Sequence, residues 1–157
     1  MNKIAIFVDV QNIYYTTRQE FGRQFNYRKL WQKISTKGEI VSAIAYATHR
    51  ADDKQIKFQD ALKHIGFTVK LKPFIQRSDG SAKGDWDVGI TIDVMQAAPD
   101  VDTVILLSGD GDFDLLLQKI NTDYNVRTEV YGVRSLTAKS LIDSASEYHC
   151  IDNDLLL

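Results

Sequence analysis

The chain has one cysteine, Cys150, so no internal disulfide can form and a reducing cytoplasm is the default setting. It has no long apolar run. The short stretch that begins at Ile4 meets Asp9 too soon to act as a secretory segment, and nothing later approaches a membrane span, so a soluble protein without membrane attachment is expected. The histidines, His49, His64 and His149, are too scattered for a zinc site, and no grouping supports a serine-protease triad. An excess of positive charge is also missing. The net charge of −2 argues against tight non-specific binding to nucleic acid. Repeats, low-complexity segments and linkers are absent, which leaves a single domain over residues 1–157. With 44% hydrophobic and 25% charged residues, that domain can bury one sizeable core and is not disordered.

The charges that are present are unevenly placed. Arg50 to Lys83 carries eight Lys or Arg against four Asp, whereas Gly84 to Asp123 carries nine Asp and one Lys. Most of these belong to solvated helix faces. Several Asp residues of the acidic stretch, however, sit beside apolar runs.

Apolar runs at Lys3 to Asp9, Val41 to Thr48, Phe67 to Phe74, Asp102 to Leu107 and Val126 to Tyr131 read as strands. Helices are expected near Gln11 to Arg23, Tyr27 to Thr36 with Asn26 as N-cap, and Asp52 to Ile65 with Ile56, Ala61, Leu62 and Ile65 inward and Gly66 as its stop. Further helices are expected at Trp86 to Ala98, Asp112 to Asn121 and Leu136 to Glu147. Gln76 to Gly84 has no periodicity and reads as a loop, and a short edge strand could follow near His149 to Ile151. Strands apolar throughout and alternating with helices give an α/β, three-layer, Rossmann-like domain. Its central sheet is mostly parallel, with about five strands in the order 3-2-1-4-5. Ligands bind such sheets at the carboxyl ends of the strands where the order reverses, just after Val8 and just after Leu107. Both places are acidic.

Asp9 ends the first strand, although helix capping alone would account for an Asp there as readily. Ser108-Gly109-Asp110-Gly111-Asp112-Phe113-Asp114 follows the fourth strand and puts three acids into five residues, more than capping and a helix dipole require. A divalent cation among them would relieve their repulsion, and an all-oxygen set suits Mg²⁺ or Mn²⁺. A calcium loop is excluded, because Leu115 stands where that loop needs Gly and Asn121 where it needs Glu. A third acidic element is Lys83-Gly84-Asp85-Trp86-Asp87, with Asp93 beyond. Asp85 suits a cap and Asp87 the first helical turn. Asp93 lies about 240° around the helix from Asp87, so the two cannot share a face and Asp87 is the better ligand.

Phe7-Val8-Asp9-Val10-Gln11-Asn12, Lys83-Gly84-Asp85-Trp86-Asp87-Val88 with Asp93, and Ser108-Gly109-Asp110-Gly111-Asp112-Phe113 together resemble the NYN (LabA-like) family of PIN-like nucleases. The likeness runs from about residue 3 to residue 148. Each motif alone is weak, but the ordered triplet is fairly specific. The resemblance implies metal-dependent hydrolysis of RNA on a PIN-like sheet, with Mg²⁺ or Mn²⁺ held by Asp9, Asp110, Asp87 and Asp112. It implies supporting roles for Asn12, Ser108 and Asp93, while Asp114 falls outside the pattern. The family usually has Lys-Gly-Val-Asp where this chain carries one more residue before Asp87, so Asp85 competes with Asp87 for that position.

Arg50, Lys72, Arg77 and Lys83 are expected phosphate contacts, although Lys83 also reads as a plain loop lysine. Tyr14, Tyr15 and Phe74 could stack on bases, with burial in the core the commoner fate of aromatics at such spacings. Three rivals stand beside the ribonuclease. A catalytically quiet RNA- or protein-binding module would keep the fold without turnover. A phosphoryl-accepting receiver domain lacks its acceptor Asp after the third strand and its Lys after the fifth. A phosphatase could use the same metals. Leu155-Leu156-Leu157 is odd for a free tail and is expected to pack on the domain or meet a partner, and a homo-oligomer is open.

Overall fold

Alternation along the two central strands builds the molecule. In the computed structural model, which describes residues 1–157 except 50–51, 74, 77–81, 84 and the side chains of 73, 75, 76, 82 and 83, β1 spans Lys3–Asp9. Side chains point alternately to opposite faces of a strand. Ile4, Ile6 and Val8 therefore join one buried cluster, and Ala5 and Phe7 the other. The strand Thr103–Leu107 repeats the pattern, with Ile105 and Leu107 on the first face and Val104 and Leu106 on the second. A strand buried on both faces needs helices above and below, and the chain supplies them.

The first face is covered by α1 (Val10–Phe21), α2 (Tyr27–Ser35) and α3 (Asp53–Ile65), through Ile13, Leu30, Ile34 and Leu62. The second is covered by α4 (Asp87–Ala97), α5 (Asp114–Tyr124) and the short α6 (Lys139–Ser144), through Ile90, Val94, Leu117, Ile120 and Leu141. The other strands are β2 (Glu39–His49), β3 (Thr68–Pro73), β4 (Ile75–Gln76), β5 (Ala82–Lys83), β6 (Thr103–Leu107), β7 (Arg127–Gly132) and β8 (Glu147–Cys150). The main sheet runs β3-β2-β1-β6-β7-β8 with every pairing parallel, while β4 and β5 form a separate antiparallel ribbon. Counted within the main sheet this is the expected 3-2-1-4-5 with a sixth strand at the edge.

Several expectations are corrected. Part of the segment read as a loop, Gln76 and Ala82–Lys83, pairs in the ribbon. On α3, Ile56 is half exposed and Ala61 lies outside, whereas Phe58, Gln59, Leu62 and Ile65 face inward. That stripe brings Phe58 against Tyr27, ring centroids 5.8 Å apart, and the aromatic contact fixes the helix rotation. The last helix is shorter than expected, because a 3₁₀ turn takes Arg134–Leu136 and β8 begins at Glu147. Leu155 and Leu156 are buried, with the Asn26 N–H donating to the Leu155 carbonyl (2.8 Å) and Leu156 bridging Phe25, so the tail packs on the domain. Among the described residues no helix is long and apolar enough to cross a membrane.

Candidate metal centre

The chain passes from β1 through β2 to β3 on one side, then returns to β6 on the other, so the carboxyl ends of β1 and β6 open the crevice. Asp9 ends β1 and occupies the N-cap position of α1, yet its carboxylate makes no capping hydrogen bond. It accepts instead from the Ser108 hydroxyl at 3.1 Å. Ser108, fully buried after β6, accepts in turn from the Asp110 N–H (3.1 Å). Asn12, one turn into α1, accepts from the Gly109 N–H (2.9 Å). One serine and one asparagine thus tie two distant chain segments into a fixed crevice. Gly109 must lack a side chain, because a Cβ there would come within 2.5 Å of the Leu136 carbonyl oxygen.

Asp110 accepts from the Asp112 N–H (2.9 Å) and so opens the 3₁₀ turn Gly111–Phe113 that leads into α5. Asp87, in the first turn of α4, comes from the other side. Ligand oxygens of Asp87, Asp110 and Asp112 all lie within 4.8 Å of one another. Asp87 is positioned by the indole of Trp86, which donates to the Ala47 carbonyl (3.0 Å) and packs on Tyr46 with centroids 5.3 Å apart. Gly89 leaves room for this indole, since a Cβ there would lie 2.6 Å from the ring. The sequence reading missed Trp86 as an anchor, and nothing local signals it, because its partners lie on β2.

Among the described residues, no Lys or Arg forms an ion pair with Asp9, Asp87, Asp110 or Asp112. Burial pushes the Asp9 carboxyl up to about 6 against the pull of the Ser108 hydroxyl, with Asp110 and Asp85 adding repulsion. Burial, then the charge and the hydrogen bond of Asp110, push Asp87 up to about 7. Carboxylates held together with no basic ion-pair partner among the described residues resist ionising, an arrangement that suits a bound cation. The donor set is all oxygen, so it fits a hard divalent cation, for which Asp87, Asp110 and Asp112 could provide ligands, while Asp9 lies outside this trio but near enough for Asp110 to repel its charge.

The remaining expected residues divide. Asp93 stands apart from the pocket: its carboxylate takes the Lys70 ammonium at 2.7 Å and the Tyr46 hydroxyl at 2.8 Å, which together outweigh burial and hold it below the usual carboxylate range. Asp85 accepts from the Asp87 N–H (3.3 Å), as a capping acid would, and Asp114 turns onto the Leu115 N–H (2.6 Å). Lys72 lies over the Trp86 ring, 5.1 Å from its centroid, and donates to the Asp85 carbonyl (3.2 Å), at the rim of the crevice. Lys83 belongs to β5, its side chain undescribed, while Arg50, Arg77 and Phe74 lie outside the described residues.

The model of the NYN domain matches residues 3–152. The chain belongs to the NYN domain family. The likeness expected from the three acidic motifs is therefore borne out over the whole sheet. This NYN domain is 29% identical over 155 residues to the Low amplitude and bright protein LabA of Synechococcus elongatus, a match covering 94% of this chain and 82% of that protein. It is also 54% identical to a structurally solved protein of unknown function from Vibrio parahaemolyticus, which superposes with a TM-score of 0.95 over 99% of this chain and 96% of that one.

Proposed function

We propose that this NYN domain is a divalent-metal-dependent ribonuclease that hydrolyses RNA phosphodiester bonds at the crevice between β1 and β6. The observation that carries the reading is the convergence of Asp87, Asp110 and Asp112, with Asp9 beside them, where the strand order reverses and without a basic ion-pair partner among the described residues. Family membership supports it. In the cell it would work in a reducing cytoplasm, in keeping with the lone, exposed Cys150.

Asp9, Asp87 and Asp110 would hold Mg²⁺ or Mn²⁺, with Asp112 completing the shell. The cation, when bound, reverses the local charge, polarises a phosphoryl oxygen and acidifies water. The protein's own part is orientation. Ser108 fixes Asp9 and the Asp110 backbone at once, and Asn12 holds the loop that carries Asp110. Asp112, the most exposed of the four, would also orient the attacking water. Asp93 is a structural support away from the pocket, keeping α4 against β2 and β3 through Tyr46 and Lys70. Lys72, on the rim, would meet a phosphate of the bound strand.

The test is cleavage of RNA with Mn²⁺ or Mg²⁺, with chelator, and with phosphomonoesters as competing substrates. The expected result is metal-dependent RNA cleavage that Asp110→Asn abolishes while RNA binding persists. Binding without cleavage in the native protein would favour the quiet module, and faster turnover of phosphomonoesters a phosphatase.

A further inference from the structure

A second feature opens beside the acidic pocket. Between α1, the end of β2, the α1–α2 connection and α3 lies a groove of about 610 Å³, lined at its rim by Gln11, Tyr14, Tyr15, Lys54 and Lys57. Its floor is apolar and includes the buried Ile13, Phe25 and Tyr27. The near end is made by Val10 and Ala47. Val10 follows Asp9, and the Ala47 carbonyl holds the indole that precedes Asp87. The near end of the groove thus borders the segments that carry Asp9 and Asp87.

Its chemistry is opposite to theirs. Among the described residues no carboxylate lines it, while Lys54 and Lys57 do, in a chain whose 21 Asp and Glu outnumber its 19 Lys and Arg. Tyr14 and Tyr15 are 46% and 47% exposed and meet edge to face, 5.4 Å apart at 72°. Adjacent aromatics left in water at a groove rim offer π faces to planar groups, and the Arg18 guanidinium stands 6.0 Å from the Tyr14 centroid. A polyanion crossing the acidic pocket must leave it on both sides, and this flank has charge to receive it. Bases paired within a duplex have no free faces to stack there, whereas an unpaired strand does.

We propose that the groove between α1 and α3 holds single-stranded RNA flanking the bond at the acidic pocket, with Tyr14 and Tyr15 as the stacking platform and Lys54 and Lys57 on its phosphates. The proposal rests on the ribonuclease reading for its ligand. Binding of a fluorescent 12-nucleotide unpaired RNA is measured by anisotropy in chelator, against a blunt duplex of the same sequence, with Mn²⁺ cleavage assayed in parallel. The unpaired strand is expected to bind more tightly than the duplex, and Tyr14→Ala/Tyr15→Ala to weaken it about tenfold or more. Tyr14→Phe/Tyr15→Phe should restore binding, because stacking needs the ring and not the hydroxyl. Lys54→Ala/Lys57→Ala should lower the slope of log affinity against log salt by about 1.4, at roughly 0.7 for each phosphate contact on a single strand. Equal affinity for duplex, or unchanged affinity in the Tyr-to-Ala and Lys-to-Ala variants of a protein that still cleaves RNA, overturns the groove and leaves the nuclease intact. Native binding that these variants weaken, without cleavage, sinks the nuclease and keeps the groove.

Discussion

Among the described residues, two clusters of carboxylates sit at different places on the same sheet, and one of them has no Lys or Arg ion-pair partner. At the β7–β8 edge, Glu129 is buried but surrounded: His149 Nε2 lies 2.6 Å from one oxygen with the Lys37 ammonium at 3.4 Å, and Arg127 Nε lies 3.1 Å from the other. Arg127 also reaches Glu147 at 2.6 Å. These groups outweigh burial and hold Glu129 below the usual carboxylate range. At the carboxyl ends of β1 and β6 the acids are as close together, yet burial and mutual repulsion push Asp9 and Asp87 up. Three potential ligands within reach of one ion therefore do not mark a metal site by themselves. What distinguishes the two places is whether the protein has already supplied the positive charge.

The largest break in this comparison comes from removing one acid at each place. Asp110→Asn should lower RNA cleavage by more than the roughly 10- to 100-fold expected from losing an outer-shell group. It should also abolish the rise in melting temperature that saturating Mn²⁺ produces, a gain worth about 2.7 kcal/mol at a concentration of 100 Kd. Glu129→Gln should leave both intact. A Glu129→Gln protein that no longer responds to Mn²⁺ in a thermal melt would show the second cluster to be a metal site after all.

Stability should move the other way. Glu129→Gln leaves Arg127 and His149 facing a neutral amide, and should cost about 1–3 kcal/mol in urea unfolding, a range lowered because Arg127 is half exposed. Asp87→Asn removes repulsion from the metal-free protein and should raise its urea midpoint. A lower midpoint in chelator would mean that some positive group already balances Asp87.

The same contrast sets the sign of the pH dependence. Asp9 and Asp87 have folded values of about 6 and about 7 against an ordinary 3.8. The folded state then holds more protons, so their contribution is fully present below about pH 4 and is lost as pH rises toward 7. Glu129 is depressed below its ordinary 4.5, so its contribution is present above that value and lost as pH falls. In chelator, the stabilisation by Asp87→Asn should grow from pH 4 to pH 7.5, while the cost of Glu129→Gln should shrink below pH 4.5. Mn²⁺ affinity of the native protein should weaken below about pH 7, because protons compete for the ligand carboxylates. Unfolding series at several pH values check the first pair, and titration calorimetry the last.

How much of this was legible in the sequence depends on distance along the chain. β1 and β6 were readable because an unbroken apolar run needs no partner to identify it, and with the winding rule they placed Asp9 and Asp110 at one crevice. Asn12 and Ser108 were legible only as motif neighbours, and the hydrogen bonds that explain them join residues about a hundred positions apart. Helical spacing alone could not choose between Ile56 and Phe58 on α3, since both lie on plausible stripes and only Tyr27 decides. The Glu129 network left no local trace at all, because its partners come from the turn before β2, from the start of β7 and from β8.

Tyr46→Phe gives the smallest and cleanest comparison. Tyr46 is fully buried on β2 and its hydroxyl donates to Asp93, whose other partner is Lys70. Phe keeps the ring against Trp86 and removes one hydrogen bond to a carboxylate that retains its ammonium, so the cost should be about 1–2 kcal/mol. Because Asp93 faces away from Asp87 on α4, the change should lower the urea midpoint without altering Mn²⁺ affinity. If Mn²⁺ affinity instead fell along with stability, Asp93 would be coupled to the acidic pocket through α4, and the separation between the two carboxylates of that helix would not hold.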